Sequence, residues 1–221
     1  SSPKHEPMPL VKFTPSMEVT EVWSKGLSSA EGFLVPAVYD DMVFAAGGKT
    51  LTRLNARTGE TEWSVSFNSP ITGGVGSDGY VTAVGLWDGN LEVVDAEGKV
   101  SWEKKLTTEL ASPPVVSHGL VIARTMDTRV SAFEASSGEL QWTYQRSQPA
   151  LTVRLPTRML AHDNFLLVGQ PNGHIVILDI ASGKPMFEFQ VAQAKGVTEV
   201  ERLVDVVGAP AFSDNFCLLY T

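Results

Sequence analysis

The hexapeptide Gly74-Val75-Gly76-Ser77-Asp78-Gly79 has the spelling of a phosphate-cradling loop, in which glycines let backbone N–H groups approach a pyrophosphate. That chemistry needs a strand before the loop and a helix N-terminus after it. Here the segment aligns with Pro114-Val115-Val116-Ser117-His118-Gly119 of a neighbouring unit, so its glycines read as an inner strand and a hairpin turn. Trp87-Asp88 spells the WD dipeptide, yet it stands before Gly89 in an inter-strand turn rather than at the repeat's aromatic. The histidines (His5, His118, His162, His174) fall in the N-terminal tail or at turn-like positions, with no metal-ligand spacing and no Ser–His–Asp order. Acidic residues follow turns and read as solvated. The one cysteine, Cys217, lies in the apolar run Phe216-Cys217-Leu218-Leu219 and reads as a small buried residue. It leaves no internal disulfide and no cysteine-based zinc site. The expectation is a protein that is not an enzyme and carries neither cofactor nor metal.

The elements that would have to position any site come from a chain of 221 residues, 43% hydrophobic, with 19 Gly and 13 Pro dispersed along it. Such dispersal favours many short strands. A net charge of −8 argues against a nucleic-acid or anionic-membrane binder, either of which needs clustered Lys and Arg. No apolar stretch approaches the roughly 18 residues that span a bilayer as a helix. The opening Ser1-Ser2-Pro3-Lys4-His5-Glu6-Pro7 looks like a trimmed or processed chain, with residues 1–15 expected as a loose tether and 16–221 as the folded unit.

Internal repetition organises the rest. Leu51-Thr-Arg-Leu-Asn-Ala-Arg-Thr-Gly-Glu-Thr-Glu-Trp63 aligns with Leu91–Trp102, Val130–Trp142 and Ile175–Phe187. Each segment is a strand, a polar turn with Gly near its end, then a strand carrying one large aromatic. Upstream, Asp40-Asp41, Asp78-Gly79, His118-Gly119, Asp163-Asn164 and Asp214-Asn215 each separate two apolar runs, as two-residue hairpin turns do. From this turn to the aromatic the spacing is 23, 24, 24 and 24 residues. A constant spacing means one repeated unit, and a four-stranded meander of about 40 residues is a β-propeller blade. A lone meander leaves an apolar face exposed, so blades must stack. The recurrent aromatic (Trp63, Trp102, Trp142, Phe187) is expected to wedge between neighbouring blades, where a large ring buries most area. Trp23, 40 residues before Trp63, is expected to be an orphan outer strand. With the partial fifth unit, about four and a half all-β blades are expected, and a native product longer than this chain.

Departures from the repeat point to a surface. From the outer-strand aromatic to the next inner turn the spacings are 17, 15 and 16, then 21 and 27 residues. The extra residues, roughly 147–156 and 191–209, enter adjacent outer-to-inner connections, which emerge on one face of the disc. Insertions on one face of a repeat protein commonly mark its binding face. The first carries Leu151, Val153 and Arg154, and the second carries Glu201, Arg202 and Asp205. Apolar residues beside Arg and acids suit a protein–protein patch. The plainer alternative has the loops packing on each other, with Arg154 paired to Asp205 or Glu201.

The segment Leu54-Asn-Ala-Arg-Thr-Gly-Glu-Thr-Glu-Trp63 resembles the repeats of the pyrroloquinoline-quinone-like propeller family. The resemblance covers nearly the whole chain. It is most specific at Leu151-Thr-Val153-Arg154 and Thr198–Val206, which look like the inserted loops of the family's non-catalytic branch in the bacterial outer-membrane β-barrel assembly machinery. It implies an eight-bladed propeller and a lipoprotein on the periplasmic side of the outer membrane, anchored by an N-terminal lipid absent from this sequence. The implied partner is the barrel-forming subunit, bound through its periplasmic domains. Leu151, Val153 and Arg154 match the family's apolar-x-apolar-Arg element, Val153 standing for a Leu. Asp205 matches the first of two acids in the second loop, and the second position holds Val207. Enzymes of the superfamily use a larger propeller, a metal and often adjacent cysteines, a pattern that one Cys and no acidic metal cluster do not match. A fragment of a quinone-dependent dehydrogenase is the alternative, and a peptide-binding propeller that pairs strands to blade edges, and so could hold unfolded outer-membrane proteins, is a third reading.

Overall fold

The structure, a computed structural model, describes residues 33–146, 159–170 and 174–190, and the regular elements among them are β-strands. A two-residue strand β1 (Phe33–Leu34) precedes the first blade, which is β2 (Ala37–Tyr39), β3 (Met42–Gly47), β4 (Thr50–Asn55) and β5 (Thr61–Ser66). The second is β6 (Ile71–Ser77), β7 (Thr82–Leu86), β8 (Asn90–Val94) and β9 (Val100–Lys105). The third is β10 (Val115–Ser117), β11 (Leu120–Arg124), β12 (Val130–Glu134) and β13 (Leu140–Tyr144). The fourth is β14 (Leu160–His162), β15 (Phe165–Gly169), β16 (His174–Asp179) and β17 (Pro185–Gln190). Within each blade successive strands pair antiparallel, inner to outer. This is the architecture of a β-propeller.

Burial follows strand position. Every residue of β7 and β11 is buried, because a middle strand is covered on both faces by neighbouring blades. In β11, Leu120 and Ile122 face blade 4, while Val121 and Ala123 face blade 2. The outer strands β5 and β9 instead alternate exposed and half-buried residues, with one side against a blade and one in water. A register shift recurs where each outer strand begins, at Arg53/Leu54, Val93/Val94, Ala132/Phe133 and Ile177/Leu178. The repeat is thus a repeat of backbone geometry as well as of residue type.

The inner turns hold two forms. Two-residue turns join Tyr39 to Met42, Ser117 to Leu120 and His162 to Phe165, with positive φ at Asp40, His118 and Asp163. Blade 2 departs from the expected two-residue turn. Ser77 pairs with Thr82, which makes a four-residue loop, and the Asp78 side chain closes it by accepting from the Tyr80 and Val81 amides (2.9 and 2.8 Å).

The glycines of the nucleotide-loop lookalike have a packing cause. A Cβ on Gly76 would stand 2.1 Å from the Pro114 carbonyl oxygen of the next blade. Gly73 and Gly74 pair with Phe33 and Leu34 of β1, which runs parallel along the inner edge of blade 2. Two further bonds, Val35 N–H to Gly74 O (2.9 Å) and Val75 N–H to Val35 O (2.8 Å), seat this strand.

Candidate protein-binding face

In an antiparallel meander the turns between second and third strands share a face with the connections between blades. Backbone hydrogen bonds lace the two sets together: Phe67 N–H to Lys49 O (2.8 Å), Trp87 N–H to Pro70 O (2.8 Å), Leu106 N–H to Gly89 O (3.0 Å) and Met126 N–H to Glu109 O (3.0 Å). This connection face presents Trp87, 65% exposed, and Met126, 41% exposed, at successive turns. The opposite face carries the inner hairpin turns and Tyr80, 70% exposed.

The connection that enters the first long insertion leaves blade 3 after Arg146, and the described chain resumes at Met159, which belongs to the buried cluster shared by blades 3 and 4. Arg146 Nη1 donates to Glu188 Oε1 of β17, and that bond and charge raise the Arg146 pKa further. His174 Nδ1 lies 3.6 Å from the same carboxylate. Behind this pair, Tyr144 packs against the core and burial raises its phenol pKa. Deeper in the seam, Arg124 is 4% exposed and donates from Nη1 to the Gly169 carbonyl of blade 4 at 2.5 Å. Burial lowers its pKa to about 10, so it stays charged at neutral pH. The sequence carries a signal for Arg124 in the repeat register: its counterparts opposite Leu51, Leu91 and Ile175 are Ala46, Gly85 and Gly169.

The candidate partner-binding residues Leu151, Val153, Arg154, Glu201, Arg202 and Asp205 lie outside the described residues, as does Trp23. The remaining aromatics are placed. Trp63, Trp102 and Trp142 each donate their indole N–H to a carbonyl of the following blade: Ala96 (2.9 Å), Ala135 (2.8 Å) and Ile180 (2.7 Å). Each ring also covers the positive-φ glycine of that turn, where a Cβ on Gly98, Gly138 or Gly183 would meet the ring at 2.6, 2.6 and 2.4 Å. Phe187 stands opposite Ile177 on β17 and is exposed.

One buried acid belongs to the seam between blades 1 and 2. Glu92, 5% exposed, pairs across strands with Glu103 and, by alternation with Leu91 and Val93, turns towards blade 1. Burial, then the hydrogen bond and charge of Glu103, then Asp88, raise its pKa to about 7. The pair faces a blade rather than a cavity, so it reads as a structural acid pair.

A family model described as "Outer membrane protein assembly factor BamB" matches residues 47–221, which includes three of the four blades and both long connections. The chain belongs to this family. The protein of that name from Burkholderia pseudomallei is 39% identical over 92% of this chain and 54% of its own length. The crystal structure of BamB from Moraxella catarrhalis superposes with a TM-score of 0.64 at 27% identity, over 80% of this chain and 56% of that one. The chain therefore spans about half the length of the BamB relatives it matches. Quinohemoprotein alcohol dehydrogenase from Comamonas testosteroni superposes with a TM-score of 0.54 at 19% identity, over 75% of this chain and 35% of that one, a likeness of fold alone.

Proposed function

We propose that this BamB-family protein is a non-catalytic scaffold of the outer-membrane β-barrel assembly machinery, on the periplasmic side of the outer membrane and lipid-anchored in its native form. It binds the periplasmic domains of the barrel-forming subunit through the two long connections, with Leu151, Val153 and Arg154 on one and Glu201, Arg202 and Asp205 on the other. Unfolded outer-membrane proteins are a further partner. The observation that carries this reading is the family match through residue 221, which runs across both insertions. The laced connection face, with exposed Trp87 and Met126, supports it as a surface suited to protein contact.

The test is capture of the barrel-forming subunit's periplasmic domains by the full-length protein and its Arg154→Glu variant. Charge reversal at the centre of the contact should cut capture at least tenfold, about 1.4 kcal/mol or more. Unchanged capture removes the loop assignment.

A further inference from the structure

We propose that Arg124 is a positioning residue for partner recognition: reaching from the end of β11 to the Gly169 carbonyl, it locks blade 4 against blade 3 on the connection face and so fixes the two roots of the connection that carries Arg154. This rests on the function proposed above and adds a residue no contact with the partner requires.

The position is set by the repeat, and the residue departs from it. The counterparts are small (Ala46, Gly85, Gly169), and at Gly85 the neighbouring connection leaves no room: a Cβ there would stand 2.5 Å from the Leu110 side chain. Blade 3 instead buries a guanidinium there. Burying such a charge is costly unless hydrogen bonds satisfy it, and an aliphatic side chain would fill a seam at lower cost. What the guanidinium adds is direction, since its bond to Gly169 O holds a fixed depth and angle.

The bond also closes a circuit. Gly169 leads into Gln170, a buried residue whose N–H bonds to His174 O (2.6 Å). His174 lies 3.6 Å from Glu188, and Glu188 accepts from Arg146 at the exit of blade 3. On its other side Arg124 O accepts from Ala111 N–H (2.8 Å) of the preceding connection. Arg124 thus joins the connection before blade 3 to the blade after it, and the circuit returns to the root of the long connection. With Trp142 fastened to Ile180 on the opposite face, the seam is held at both ends.

The experiment uses the full-length protein with Arg124→Met and Arg124→Lys. Two readouts are taken: affinity for the barrel-forming subunit's periplasmic domains, and the distance distribution between spin labels at Gln145 and Ala181, on blades 3 and 4. Arg124→Met should broaden the distribution and weaken binding about five- to tenfold, a coupling typical of sites linked through packing. Arg124→Lys, with a donor retained, should recover part of both and still reports if the Met variant does not fold. Trp102→Phe, in the seam between blades 2 and 3, should leave both readouts unchanged. An unbroadened distribution in Arg124→Met overturns the proposal, as does an equal loss of affinity in Trp102→Phe. If Arg154→Glu abolishes binding while both Arg124 variants keep wild-type affinity, positioning fails and the proposed function stands. If Arg154→Glu is without effect, that function fails, and the label distances alone decide whether Arg124 locks the seam.

Discussion

The seam between blades 1 and 2 and the seam between blades 3 and 4 are built from one repeat and fastened differently. In the first, Trp63 and Arg53 both donate to the Ala96 carbonyl (2.9 and 3.3 Å), so the two polar ties meet at one point on the hairpin face. Arg53 also lies over the Phe44 ring, 6.0 Å from its centroid. In the second, the ties are spread out: Trp142 to Ile180 on the hairpin face, Arg124 to Gly169 within the seam and Arg146 to Glu188 at its rim. Apolar burial holds both seams, being non-directional and proportional to area. Directional ties fix how two blades keep their register, and among the described residues the seam beside the first long connection carries three at separate points where the first seam carries two at one.

The largest effect expected is loss of an indole. Trp142→Ala should cost about 3–5 kcal/mol in denaturant unfolding, and Trp63→Ala less, because Trp142 is buried and Trp63 only half-buried. Equal costs would break the comparison.

A pH profile sharpens it next. Glu92, in the seam between blades 1 and 2, has a folded pKa raised from 4.5 to about 7. Between those values the folded state holds more protons than the unfolded one, so stability falls as pH rises, and the loss is complete above pH 7. Glu92→Gln should therefore leave stability at pH 5 nearly unchanged and raise it by about 2 kcal/mol at pH 8, read as melting temperature against pH. A parallel profile would remove the buried acid pair as the cause.

Arg53 offers a smaller contrast. Its Nε is buried without a hydrogen-bond partner among the described residues, so Arg53→Met should change stability by less than about 1 kcal/mol. The rim pair is smaller still. Arg146 and Glu188 side chains are about two-fifths exposed, and Glu188→Gln should give the smallest loss of the series in the same unfolding assay, declining further with added salt.

The propeller was legible because its determinants are local. Turn residues at positive φ, such as Asp40 and His118, and the Gly–aromatic pair at fixed spacing each announce themselves within one unit. Their partners do not. Trp63, Trp102 and Trp142 bond to backbone carbonyls of Ala96, Ala135 and Ile180, and a carbonyl has no residue identity to read. Strand β1 is two residues long and pairs in parallel, too short to show a period, and its trace in the sequence is Gly73-Gly74, the second of which also opens the phosphate-loop lookalike. Of the candidate site, the over-long connections were legible as spacing, whereas the reach of Arg124 into the next blade follows only from packing.

The central claim, that the connection face is the partner-binding face, is tested most directly by site-specific photocrosslinking in the assembled machinery. A photoreactive residue placed at Trp87 or Met126 should crosslink to the barrel-forming subunit's periplasmic domains, and one placed at Tyr80 on the opposite face should not. Crosslinks from Tyr80 with none from Trp87 or Met126 would contradict the account.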